Sequence, residues 1–179
     1  NLGRLKEAES NFQSSLKYAE ANVANSTDIA KINQELALLL EMDGKPDEAG
    51  VLIRQSINAL QAESQHNTVV SGFASIMREL VLKESLAYAA GLYNRFPELI
   101  GSEEVAYEKA IEAIEQYDKI DSKIKGKISI QSDKMVVNSE HDQGYFWGID
   151  AAWKLWDRTH DLKYAQKGFQ FMENSHYKI

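Results

Sequence analysis

The sequence has 179 residues, 44% hydrophobic and 26% charged, enough for a packed core in one domain or in one array of small repeats. A formal charge of −7 argues against nonspecific nucleic-acid binding or docking on an anionic membrane, and zero cysteines exclude disulfides, thiol catalysis and Cys-ligated zinc. Two prolines and ten glycines, with no Gly/Ser/Pro-rich tract, leave no composition for a long flexible linker.

Hydrophobic periodicity predicts helices over roughly 3–24, 27–42, 46–63, 67–94, 102–119, 140–159 and 161–178. The first carries Ala8, Phe12 and Ser15 on one face. The second has Ile32, Leu36, Leu39 and Leu40 around small Ala37. Gly44-Lys45-Pro46 cannot continue it, and Asp47 is placed to cap or charge the start of the third, where Ala49, Ile53 and Ser56 form a stripe. Two amphipathic helices joined by a short glycine turn make an antiparallel hairpin. In the fourth helix Ala90 and Tyr93 suit the same role, and Arg95 to Ile100 lengthen the turn before Gly101. The fifth carries Ala106, Ala110 and Ala113. Beyond Asp118 the reading weakens. Lys123 to Ile130 alternates polar and apolar like a short extended segment, but a lone strand has no partner, so a long irregular connection is expected. Some of residues 130–139 are also able to start the next helix early. The last two helices hold all three tryptophans and the turn Thr159-His160-Asp161.

A register recurs. Counting five, nine and twelve residues from Gly44 gives Ala49, Ile53 and Ser56; from Gly3, Ala8, Phe12 and Ser15; from Gly101, Ala106, Ala110 and Ala113; from His160, Ala165, Phe169 and Met172. The first offset is always Ala, because a small side chain lets two helix axes approach closely where they cross. Glycine at the origin supplies the left-handed conformation that ends a helix, and His160 takes that place in the last copy. The origins lie 41, 57 and 59 residues apart.

This register resembles tetratricopeptide repeats, whose unit is about 34 residues with small and aromatic residues at fixed places. Leu36, Ala37 and Leu40 sit where that family has its first-helix Leu, Gly/Ala and Tyr, and Ala49, Ile53 and Ser56 take its second-helix places. Longer spacings, the missing first helix of the first copy, and Trp153 and Trp156 in the last copy depart from the pattern. The resemblance implies an all-α fold, antiparallel helix hairpins stacked into a right-handed superhelix, with hairpins at about 1–24 (partial), 27–63, 67–119 and 140–179. The ends should be less stable than the middle, most of all the helix of residues 3–24.

Within the run from Tyr145 to Ala165, Leu155-Trp156 and Thr159-His160-Asp161 match the hairpin turn of a narrower group. Phe171, Glu173 and Ser175 match the end of its following helix. Over about 50 residues at most, this part looks like the last repeat before the CHAT domain, a caspase-like peptidase fold, in bacterial proteins that join the two. The resemblance implies a non-catalytic protein- or peptide-binding scaffold that regulates, or recruits partners to, a peptidase domain of the same full-length protein. The alternative is a sensor module of a signalling protein or transcription regulator. Beginning at Asn1 and ending at Tyr177-Lys178-Ile179, the sequence reads as a piece of that longer protein. A cytoplasmic location is expected, with no signal-peptide pattern and no apolar run of membrane-spanning length.

No catalytic, cofactor or metal residue is expected. The histidines His66, His141, His160 and His176 form no His-Glu-x-x-His motif or i, i+4 pair, and Glu140-His141-Asp142 reads as a helix start favoured by the dipole. Gly144 and Gly148 lack the Lys-Ser/Thr of a phosphate loop. Candidate partner-binding residues are six. Glu108 and Glu112 belong to an acidic stripe with Glu104 and Glu115, broken by Lys109, which reads as a solvated face or as a groove wall selecting a basic peptide. Asn11 and Asn33 point toward the groove in the repeat register, able to bond a peptide backbone. Tyr145 and Trp147 lie in an aromatic concentration, with Phe146, Trp153 and Trp156, that reads as core or as a partner anchor. Trp147 is displaced from Trp153 by about 600° of helical rotation. It is therefore the better exposed contact.

Overall fold

Pro46 and the glycine before it set the first hairpin. Helix α2 (Ser26–Met42) ends with Gly44 at φ 76, where the Lys45 amide donates to the Leu40 carbonyl (2.8 Å) and the Gly44 amide to Glu41 (3.0 Å). This crossed pair of bonds satisfies carbonyls that the helix end would otherwise leave without donors. Pro46 then opens α3 (Pro46–His66), where its missing N–H costs nothing, and Asp47 and Glu48 charge the first turn. The other end of α2 is capped by Asn25, whose side chain accepts from the Asp28 amide at 2.9 Å.

This computed structural model describes residues 2–21, 25–66, 72–127 and 143–176. The remaining elements are α1 (Leu2–Ala21), α4 (Gly72–Arg95), a 3-10 turn (Pro97–Ile100), α5 (Glu103–Lys127), α6 (Gln143–Thr159) and α7 (Leu162–His176). Among the described residues the regular structure is all helical, and no helix is long and apolar enough to cross a membrane. The chain divides into two compact units, residues 1–85 and 86–179, with the division falling inside α4.

In the first unit α2 packs on α3, and α1 on α2. Ala37 and Ala49 are wholly buried, the small contacts expected where hairpin helices cross, and Leu36, Leu40, Ile53 and Leu60 fill around them. α4 is tied to both helices. Gln34 Nε2 donates to the Val81 carbonyl (3.0 Å) and to Ser85 Oγ (2.8 Å), and Arg78 pairs with Glu63 at 3.8 Å. α1 buries little, with Ala19 its buried apolar residue among those described, and Glu9 reaches Lys45 at 3.8 Å. Gly3 is inside α1, as the helix expected over 3–24 has it, and Ser15 is exposed. The register there is that of a helix face alone.

In the second unit α5 packs on α6 and α6 on α7. Pro97 stops α4, and Phe96 before it is pushed out of helical geometry (φ −131, ψ 65). Gly101 turns the chain at φ 106, and Ser102 starts α5 by accepting from the Val105 amide on Oγ. At the α6–α7 turn His160 adopts φ 54, the left-handed position that its register foretells. Thr159 Oγ1 accepts from the Asp161 amide (3.2 Å), and Asp161 Oδ1 accepts from the Lys163 amide (3.0 Å), so all three turn residues take part.

Two expectations are corrected. The irregular connection after Asp118 is helix through Lys127, because Tyr117, Asp121 and Ile124 at i, i+4 and i+7 extend the buried face of α5. Phe169, placed by the register on the packed face, is 54% exposed; Tyr164, Ala165 and Phe171 bury that side of α7. Residues 128–142, including the rest of the alternating segment and Glu140-His141-Asp142, lie outside the described residues.

Candidate functional site

Two of the four glutamates of the acidic stripe on α5, Glu108 and Glu115, are engaged by α7, and Glu103 beside the stripe is engaged by α6. Glu108 accepts from the Tyr164 hydroxyl at 2.5 Å, Glu115 pairs with Lys167 at 2.8 Å, and Glu103 pairs with Arg158. These carboxylates tie α5 to α6 and α7. Burial first, and then the bond to Glu108, push the Tyr164 phenol above its ordinary range. Glu112 is exposed and pairs with Lys109 at 2.6 Å, and that hydrogen bond raises the Lys109 ammonium. Arg158 and Lys154 also lie over the Tyr107 ring, at 5.8 and 5.1 Å, so two cations cap one buried aromatic.

The other sequence candidates separate. Asn11 is exposed, and its backbone carbonyl accepts from Ser15 Oγ at 3.0 Å. Asn33 is 5% exposed, in line with Ala30, Ala37 and Leu40, and its Oδ1 finds no hydrogen-bond partner among the described residues. It belongs to the interior of the first unit rather than to an open groove wall. Tyr145 is 1% exposed, edge-on to Tyr117 at 5.2 Å, and its hydroxyl donates to Asp118. Its phenol is held far above the usual range by burial and by that carboxylate. Tyr145 is core.

Trp147 is half-buried, not the exposed contact that its rotation suggests. Its ring sits beneath Arg95 at 4.8 Å and edge-on to Phe146 at 5.1 Å, and its carbonyl accepts from Asn94 Nδ2 at 2.9 Å. Gly91 makes this possible, since a Cβ there would stand 3.0 Å from the indole. Phe146, one residue earlier, is 59% exposed. Trp153 and Trp156 are half-buried and mutually edge-on at 5.2 Å, and Trp153 meets Phe169 at 5.5 Å. Phe146, Ile149, Trp153 and Trp156 therefore run along one side of α6 at steps of three and four, beside Phe169 of α7. The sequence reading left the two tryptophans as core or partner anchor; extending their spacing backward to Phe146 would have marked this stripe.

Among the described residues no three His, Cys, Asp or Glu side chains are arranged to hold a metal ion. The chain matches no protein-family model, no curated protein and no solved structure.

Proposed function

We propose that the chain is a non-catalytic scaffold of tetratricopeptide-like hairpins that binds a protein or peptide. It stacks as a right-handed superhelix, and it regulates or recruits partners to a caspase-like CHAT peptidase domain of the same longer protein. The observation that carries this reading is the shared hairpin device. Left-handed residues stand at Gly44, Gly101 and His160, and five residues after each lies a buried alanine, Ala49, Ala106 and Ala165. That device builds ordered helix faces rather than a catalytic pocket. It is supported by carboxylates paired with lysine, arginine or tyrosine rather than gathered around a cleft.

The test has two arms. Under this reading a random-peptide selection on the purified chain returns binders, and the gene encodes a caspase-like domain on the far side of Ile179. A kinase or DNA-binding domain there makes the chain a signalling sensor instead. Failure of the selection removes the scaffold reading.

A further inference from the structure

We infer that the outer face of the α6–α7 hairpin docks an amphipathic helix whose apolar stripe is flanked by Lys or Arg. This rests on the scaffold reading and names its site and partner class. The face is apolar and open: Phe146 is 59% exposed, Phe169 54% and Leu162 68%, with Trp153 stacked edge-on between Trp156 and Phe169. Aromatic rings of this kind at an open face carry large contact area at low entropy cost.

The earlier hairpin shows what such positions accept. Seven and four residues before Gly44, and nine after it, stand Ala37, Leu40 and Ile53, each buried, on a hairpin along which α4 is tied by Gln34 and Arg78. At the same distances from His160 stand Trp153 and Trp156, large and only half-buried, and Phe169, exposed. A helix laid across them would take the place on α6–α7 that α4 takes on α2–α3.

Charge selects among possible occupants. Every lysine and arginine of α6 and α7 is already matched: Lys154 with Asp150, Arg158 with Glu103, Lys163 with Asp161, and Lys167 with Glu115. Asp157, one residue past Trp156, and Glu173, one turn past Phe169, are exposed and make no ion pair with a described residue. The surplus at the rim is negative. A basic helix pairs with it and also places cations over the indole and phenyl rings. A second copy docking face to face would instead bring the same two carboxylates together.

The experiment is a display library of helical peptides with leucines fixed at i, i+4, i+7 and i+11. Flanking positions are randomised among Lys, Glu, Gln and Ser, and selection is on the full chain beside an unconstrained library. Lysine should be enriched at the flanks. The selected peptide, synthesised and titrated by tryptophan fluorescence, should bind roughly tenfold more weakly to an Asp157→Lys/Glu173→Lys variant and lose binding to Phe169→Glu. All three positions are exposed, so unchanged circular dichroism and melting midpoints establish that the variants fold. Enrichment of Glu, or no flank preference, overturns the proposal. So does binding indifferent to these substitutions, which leaves the scaffold reading standing with its site elsewhere. A dimer in sedimentation that Phe169→Glu disperses overturns it in favour of a second copy. No binder from either library removes both readings.

Discussion

Side chains meet glycines at short range in the second unit, and this decides which substitutions it tolerates. A Cβ at Gly148 would lie 2.8 Å from Ile114 Cγ2 and from the Phe171 ring, and one at Gly144 would lie 2.6 Å from Tyr117. Gly148→Ala should therefore cost about 1–3 kcal/mol by overpacking, read from denaturant midpoints. Gly168→Ala, on the other helix of the hairpin, meets Ala152 Cβ at an ordinary 3.5 Å and should gain about 0.5–1 kcal/mol from helix propensity. His160 sits at φ 54, a region that L side chains enter at a cost, so His160→Gly should raise stability by about 1 kcal/mol. Tyr145 gives a pH signature. Its folded phenol titrates well above the ordinary 10.0, so the neutral form is favoured in the fold. The stability it contributes is complete below pH 10 and is lost as pH rises above it, at up to about 1.4 kcal/mol per unit. Tyr145→Phe should flatten the decline of the unfolding midpoint above that pH, with Tyr164 retaining a smaller slope of the same sign. Some of this was legible: the left-handed role of His160 followed from its register. The burial of Tyr145 was not, although Gly148, Ala152 and Leu155 continue its stripe, because aromatic content alone suits core and contact surface equally.

Helices differ in how much of themselves they bury, and that ranks their order of opening. α1 presents mostly exposed residues and reaches Lys45 through one long ion pair, whereas α3 buries Ala49, Ile53, Ser56 and Leu60 along its length. Amide hydrogen exchange should be fastest in α1, by at least about tenfold over α3, and equal protection in the two would contradict this ranking. That α1 should rank lowest was expected from the sequence, where the helix of residues 3–24 stands at an end of the array without its hairpin mate. The length of α5 was not. Asp121 occupies a buried place between Tyr117 and Ile124, paired with Lys125 at 3.0 Å, and a carboxylate there interrupts the apolar pattern that signals a continuing helix. Lys123, Lys125 and Lys127 then set up an alternation with the period of a strand. The buried Asp121, paired with a partly exposed Lys125, won over the periodicity.

Across the whole chain, stability rests on buried stripes more than on ion pairs. Arg158 and Glu103 are about half-exposed, and Lys109–Glu112 and Lys163–Asp161 are more open still. Pairs of this kind are worth roughly 0–1 kcal/mol each, and screening also relieves the repulsion within a chain of charge −7. Raising sodium chloride from about 0.05 to 0.5 M should therefore move the melting midpoint by no more than about 3 °C. A larger fall would assign the ion pairs a greater share than the buried stripes. The turns at Gly44 and His160 were legible at this scale because turn residues punctuate them, whereas the division between Ser85 and Leu86, which the expected hairpin over 67–119 runs across, has no glycine, proline or change of composition beside it to announce it. That division has a practical edge. A cut before Gly72 strips the first unit of Val81, Leu82 and Ser85, and a cut after Arg95 strips the second of Leu86, Ala89, Ala90 and Leu92. Trimming the chain at either boundary of α4 therefore leaves one unit without part of its buried stripe.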